Sequence, residues 1–241
     1  MTWKISFGAI SLSEAINLLL EDLALRKSSS YFFINAYSIS LTDKNPAYRE
    51  LLQNNNRNLI DGKPIELLLN KYQKSKKRYH QIRGADFTRE ILRTFPKSKS
   101  IFLLGGSVQN LIHLSEIIGK KYPNVKISGT FSPSYELDWP SYIDSVVEMI
   151  DTAQSSLVFV SLGTPKQDFV AKEISSRLNL VAVSIGAALD FITFNISECP
   201  KWMQFIGLEW FFRLVVEPQR LWRRYLIESP KLIKLFLLRR I

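Results

Sequence analysis

A handful of polar residues stand where an otherwise apolar α/β pattern breaks, and their types suit proton transfer and anion binding. Asn35 lies in the β-rich run "YFFINAYSI", and Asp61 sits in the Asp-Gly turn "IDGKP". Arg83 and Asp86 bracket Gly84 in "RGADF", and Asp190 follows a glycine-ended apolar run. "GTPKQD" (163–168) leads from a buried run into a helical pattern, whose first turn can hold an anion through its N–H groups and macrodipole. Each residue also has a plainer reading. An Asp-Gly pair commonly just turns the chain, Asn35 can satisfy a neighbouring backbone group, and Thr164-Pro165 can simply begin a helix.

The C-terminus adds cations. From Lys201 onward nine Lys/Arg face three Asp/Glu, so the tail carries six of the chain's net +10, along with Trp202, Trp210 and Trp222. A basic aromatic end suits a membrane surface, a nucleic acid, a bound phosphate or a partner protein. If Pro218 opens a helix, Arg220, Arg223 and Arg224 fall at i, i+3 and i+4 on one face. "PKLIKLFLLRRI" mixes apolar and basic residues as an interfacial helix does.

Other chemistries lack their residues. There is no G-x-G-x-x-G after a strand, no G-x-x-x-x-G-K-[ST], no G-x-S-x-G and no Asp-x-Asp. His80 and His113 stand apart and Cys199 is the only cysteine, so neither a metal-ligand pair nor an internal disulfide is expected. No secretory signal is expected, since Glu14 comes before any adequate apolar run. "LNLVAVSIGAALDFITF" contains Asp190 and is shorter than the roughly 20 residues a membrane helix needs.

The elements that would position these groups alternate. "SIFLLGG", "VKISGTF", "SLVFVSLG" and "LVAVSIGAA" read as strands, and "SVQNLIHLSEIIGKKY", "PSYIDSVVEMIDTA" and "KQDFVAKEISSRL" as the helices between them. Upstream, "SLSE" starts a helix through about Leu25, "PAYRELLQ" and "ADFTREILRTF" are helical, and "YFFINAYSI" reads as one strand. The pattern predicts an α/β fold, a doubly wound Rossmann-like parallel sheet, over residues 1–195, with a helical C-terminal appendage over 196–241. Gly105, Gly106, Gly129, Gly163 and Gly186 fall where strands end, the edge at which such sheets bind ligands.

Taken in order, the motifs resemble the WecG/TagA/CpsF glycosyltransferases. "VSLGTPKQD" is similar to that family's V-G-L-G-x-P-K-Q-E, and "GAALDF" to its G-x-x-F/L-D-F. "GLEWFFRLVVEPQRLWRRY" is similar to its G-L-E-W-x-x-R-L-x-x-E-P-x-R-x-x-R-Y, and "INAYSISL…LIDGKP" and "RGADF" match upstream segments. The resemblance implies an inverting transfer of a sugar (N-acetylmannosamine, its uronic acid or glucose) from a UDP-sugar to a polyprenyl-diphosphate-linked sugar. That work belongs to surface polysaccharide or teichoic acid assembly. The implied location is cytoplasmic, peripheral on the inner face of the cytoplasmic membrane, which the C-terminal tail would touch. No nucleic-acid partner, cofactor or metal is expected, and self-association is left open.

The same resemblance makes Asp61 the general base and Arg213, Arg220 and Arg223 the groups on the departing diphosphate. Asn35, Arg83, Asp86, Gly105, Gly163, Pro165, Gln167 and Asp190 become substrate-binding candidates. Three positions depart from the family pattern: Phe33 where relatives often carry Thr, Asp168 after "PKQ", and Glu198-Cys199-Pro200 in place of R-A-P. The alternative is a non-catalytic module that binds anionic lipid or nucleic acid through its tail.

Overall fold

The structure is a computed structural model that describes residues 5–72, 78–134, 139–193 and 198–237. The basic run after Tyr72, the boundary expected near 195 and the last four residues fall wholly or partly outside those ranges. In chain order the elements are α1 (Leu12–Ala24), β1 (Ser29–Ile34), α2 (Ala36–Lys44), α3 (Pro46–Gln53), β2 (Asn58–Ile60) and α4 (Lys63–Tyr72). Then come α5 (Gly84–Thr94), β3 (Ser100–Gly105), α6 (Val108–Lys121), β4 (Lys126–Phe131), α7 (Trp139–Thr152), β5 (Leu157–Ser161), α8 (Lys166–Leu178), β6 (Val181–Ser184) and α9 (Ala188–Ile192). The C-terminal helices are α10 (Lys201–Ile206), α11 (Glu209–Val216), α12 (Pro218–Trp222), a π-helical turn (Arg223–Glu228) and α13 (Lys231–Leu237).

The strands form one six-stranded sheet in the order β2-β1-β6-β5-β3-β4. β1–β6, β6–β5, β5–β3 and β3–β4 all pair parallel. This is the α/β, Rossmann-like class expected, with C-terminal helices. β1, β3 and β6 are buried along their whole length and β5 through Val160, as strands covered on both faces must be. The edge strand β4 is partly exposed and begins with Lys126, whose charge discourages further pairing.

The contacts divide the chain into two compact units, and they do not follow chain order. One comprises residues 12–32 and 84–196; the other comprises 1–11, 33–83 and 197–241. In the first, β3, β5 and β6 supply an apolar centre around Phe159, Leu103 and Val183, all fully buried. Buried Asp22 accepts a 2.7 Å hydrogen bond from the Tyr31 hydroxyl and lies 3.6 Å from Lys27 Nζ, so its charge is compensated. The second unit gathers the ends of β1 and β2, helices α2 to α4 and all the C-terminal helices.

Two sequence expectations change. "YFFINAYSI" is not one strand: β1 stops at Ile34 and α2 begins at Ala36. Asn35 is the N-cap, its Oδ1 accepting from the N–H groups of Tyr37 and Ser38, both at 3.1 Å. The β-formers hid that cap, because a capping asparagine outweighs the strand propensity of the residues after it. The second change is that "NLI" is a strand, β2, too short to show alternation.

The glycine that closes β3 is sterically required. Gly105 has φ +104, and a Cβ there would stand 2.2 Å from the Ser161 carbonyl oxygen of the neighbouring strand. Gly105→Ala is expected to destabilise the chain by about 2 kcal/mol or more, combining left-handed strain with the clash. Urea unfolding monitored by circular dichroism reads this directly.

Candidate active site

Asp61 follows β2 as Asn35 follows β1. The two strand ends are tied by the Asp61 N–H donating to the Ile34 carbonyl at 2.8 Å, while the Ile82 N–H donates to the Ile60 carbonyl at 2.7 Å. Gly62, with φ +127, lets the chain turn directly into α4. Asn35 and Asp61 therefore stand together at the carboxyl edge of their strands, on one wall of a cavity of about 600 Å³. Gln81, Gln204, Glu209, Trp210, Arg213, Arg224 and Tyr225 also line it, as do the apolar Leu67, Leu226 and Ile233. All of these residues belong to the second unit.

The motif "GLEWFFRLVVEPQRLWRRY" builds most of that wall. Gly207 (φ +80) ends α10, and a Cβ on it would lie 2.8 Å from Lys63 Cβ, so only glycine lets this turn lie against α4. Two residues on, Glu209 receives Arg83 in fork geometry, Nε to Oε2 at 2.9 Å and Nη2 to Oε1 at 3.2 Å. Arg83 also donates to Gln204 Oε1 at 2.9 Å and lies 3.6 Å from Glu198. The charge reversal at Glu198 is thus met by Arg83, which fastens the C-terminal helices to the segment before α5. Trp210 stacks edge-on with Tyr225 at 6.1 Å.

The arginines separate in a way that α-helical spacing does not predict. Arg213 and Arg224 line the cavity; Arg220 and Arg223 do not. Arg220 is exposed and paired with Glu217, Nε to Oε2 at 2.7 Å, and Arg223 is exposed. Adjacent side chains on a helix point about 100° apart, so Arg223 and Arg224 face different surroundings, and the helix becomes π-helical from Arg223. Arg224 is turned inward. Its guanidinium sits 4.6 Å from the centre of the Tyr37 ring and 5.9 Å from that of Tyr225. Its Nε is buried without a hydrogen-bond partner. Burial, then the nearby Arg213, lower its proton affinity, while Tyr225, Tyr37 and Asp61 raise it.

Asp61 has a carboxyl pKa of about 6. Desolvation by burial is the main cause, Glu209 adds to it, and Arg213, Arg83 and Arg224 pull it back. A carboxylate so placed is ionised at neutral pH yet more basic than an exposed aspartate, as a general base needs to be.

The remaining sequence candidates lie in the first unit. Gln167 is buried; its Oε1 accepts the Gly163 N–H at 3.2 Å and its Nε2 is 3.5 Å from the Ser184 carbonyl, bracing the ends of β5 and β6. Gly163 (φ +79) and a cis Thr164-Pro165 bond form the entry to α8. Asp190 Oδ1 accepts from Asn110 Nδ2 at 3.2 Å, and Asp86 pairs with Arg89 at 3.3 Å. Phe33, in the second unit, is buried and is not among the residues lining the cavity. Among the described residues no three His, Cys, Asp or Glu side chains gather as a metal site requires, and no helix is long and apolar enough to cross a membrane.

Comparison with known proteins agrees with the motifs. The model of the "Glycosyl transferase WecG/TagA/CpsF family" matches residues 1–241. A Bacillus subtilis (strain 168) protein, N-acetylglucosaminyldiphosphoundecaprenol N-acetyl-beta-D-mannosaminyltransferase, is 31% identical over 190 residues, covering 78% of this chain and 71% of its own. A Bacillus spizizenii protein of the same name is 28% identical over 192 residues, covering 79% and 71%. The chain belongs to the WecG/TagA/CpsF family and is a glycosyltransferase of cell-envelope polysaccharide biosynthesis. Tyr37, Tyr225 and Glu209 line the cavity without having been sequence candidates, and Arg224 stood there only as one of three arginines on a helix face. Its placement against Tyr37 and Tyr225 distinguishes Arg224 from its neighbours.

A raised carboxyl pKa has a stability consequence. The folded chain holds the Asp61 proton more tightly than the unfolded chain, so stability falls as pH rises from about 4 through about 6. Asp61→Asn is therefore expected to stabilise the protein by about 2 kcal/mol at pH 8 and by almost nothing at pH 3.5, compared by denaturant unfolding at the two pH values.

Proposed function

We propose that the chain transfers N-acetylmannosamine from its UDP-linked form to the N-acetylglucosamine of a polyprenyl-diphosphate-linked acceptor, with inversion. The observation that carries this reading is the cavity in which a carboxyl of pKa about 6 lies beside two arginines, one of them lacking an anionic partner among the described residues. The relatives' names supply the sugar and the lipid-linked acceptor.

In this reading Asp61 takes the proton of the acceptor hydroxyl as its oxygen attacks the anomeric carbon. The bond from that carbon to the donor diphosphate breaks, and UDP leaves with the electron pair. Proton removal by a positioned base typically contributes about 10²–10⁴ in rate. Arg213 supplies a cationic fork for the oxygens of the departing diphosphate, and unlike a lysine it does not lose its charge at the pH of the reaction. Asn35 spends its Oδ1 on the α2 cap and offers its Nδ2 as a donor in the cavity wall. Gly105, Gly163, Pro165, Gln167 and Asp190 belong to the glycine-edged end of the sheet, where we place the nucleotide. Arg220 and Arg223 are assigned to the surface around the cavity.

The same reading puts the enzyme peripherally on the inner face of the cytoplasmic membrane. Trp202, Phe205, Phe211, Val215, Trp222 and Leu237 are exposed on the C-terminal helices among lysines and arginines, a mixture suited to an anionic lipid interface.

Transfer of radiolabelled sugar from UDP-N-acetylmannosamine to a short-chain prenyl-diphosphate N-acetylglucosamine tests the assignment. Asp61→Asn is expected to lose at least about 10²-fold in kcat with little change in donor KM. An unchanged kcat would remove Asp61 from the chemistry.

A further inference from the structure

Two diphosphates enter the proposed reaction, the donor's and the acceptor's. Arg224 is half-buried, makes no ion pair among the described residues, and has a fully shielded Nε with no hydrogen-bond partner. The faces of Tyr37 and Tyr225 partly offset its charge but cannot accept its N–H donors in plane. A guanidinium left this way is costly unless a ligand brings oxygens to it. The lining of the cavity is mainly apolar. Leu67, Leu226 and Ile233 belong to it and are each 57% exposed, which offers an apolar track open to solvent.

A ligand that satisfies this cavity has an anionic head for Arg224, an apolar chain for the track and a hydroxyl within reach of Asp61. UDP has no apolar chain, and would leave Leu67, Leu226 and Ile233 against water. We propose that the Arg224 guanidinium, set between Tyr37 and Tyr225, binds the diphosphate of the lipid-linked acceptor, with its first isoprene units along Leu67, Leu226 and Ile233. The assignment rests on the acceptor class in the preceding reading. It makes Arg224 an acceptor residue and Tyr37 a positioning residue.

The test is calorimetric titration of the full chain with geranylgeranyl diphosphate, inorganic pyrophosphate and UDP. Arg224→Gln is expected to weaken geranylgeranyl diphosphate by about 30-fold or more, the scale of losing one partner of a desolvated charge pair, and to leave UDP within about 2-fold. Ile233→Asn is expected to weaken geranylgeranyl diphosphate while pyrophosphate binds as before. Tyr37→Phe should bind as the parent does, because a phenyl face still holds the cation. In the unsubstituted protein, saturating UDP should not displace geranylgeranyl diphosphate, a readout that needs no variant to fold.

The inference is overturned if UDP does displace it. It is equally overturned if Arg224→Gln binds geranylgeranyl diphosphate normally, or loses UDP by the same factor. These are binding measurements, so they stand apart from the base assignment: an Asp61→Asn enzyme with full activity would refute the base and leave the Arg224 result intact.

Discussion

Everything at this site depends on the cost of removing a carboxylate from water. Asp61 is set into a cavity wall by backbone hydrogen bonds at two strand ends, and burial is the main cause that raises its pKa. Three arginines bring it back to a pKa of about 6, while Glu209 opposes them. Arg83 plays both parts, since it grips Glu209 and thereby tempers the carboxylate that most resists Asp61 ionisation. The basicity of the candidate base is therefore set by a balance of charges delivered mainly from the C-terminal helices. Without those helices, Asp61 would lose Arg213, Arg224 and Glu209 together.

That balance explains why the long C-terminal motif has the composition it has. Gly207 allows the turn to lie against Lys63, Glu209 fastens to Arg83, and Trp210 with Tyr225 forms a wall. Glu217 occupies Arg220 at the surface, and Arg224 lies inward against Tyr37. A desolvated cation without a fixed anionic partner costs folding stability. Its retention in a cavity is what an anion-binding enzyme needs, because the substrate then supplies the missing partner.

Much of the architecture was legible. The alternation of apolar runs and helical patterns after Ser100 specified β3 through β6 and the helices between them, although β6 stops at Ser184 and α9 follows where the run "SIGAA" reads as strand; α8 begins at Lys166, as "KQDFVAKEISSRL" reads. Apolar periodicity records burial, and the central strands among these are buried on both faces. The region before Arg83 was harder. Asn35 looked like a flaw in a strand because "AYSI" favours extended structure, yet its cap starts α2. β2, three residues long, carries no periodicity to read.

The candidate site was half legible for a comparable reason. Asp61, Asn35 and Arg213 could be found from motif position, and the structure brings them together. Arg224 could be named only as one of three arginines on a helix face, because its placement against Tyr37 and Tyr225 is a tertiary effect. Glu209 and Tyr37 act on other side chains through space, which spacing along the chain does not encode. The most direct measurement is a carbon-13 NMR titration of the Asp61 side-chain carboxyl in the intact protein. A midpoint near 6 is what the burial and charge balance require, whereas a midpoint near 4 would mean that water reaches the group freely and that the account is wrong.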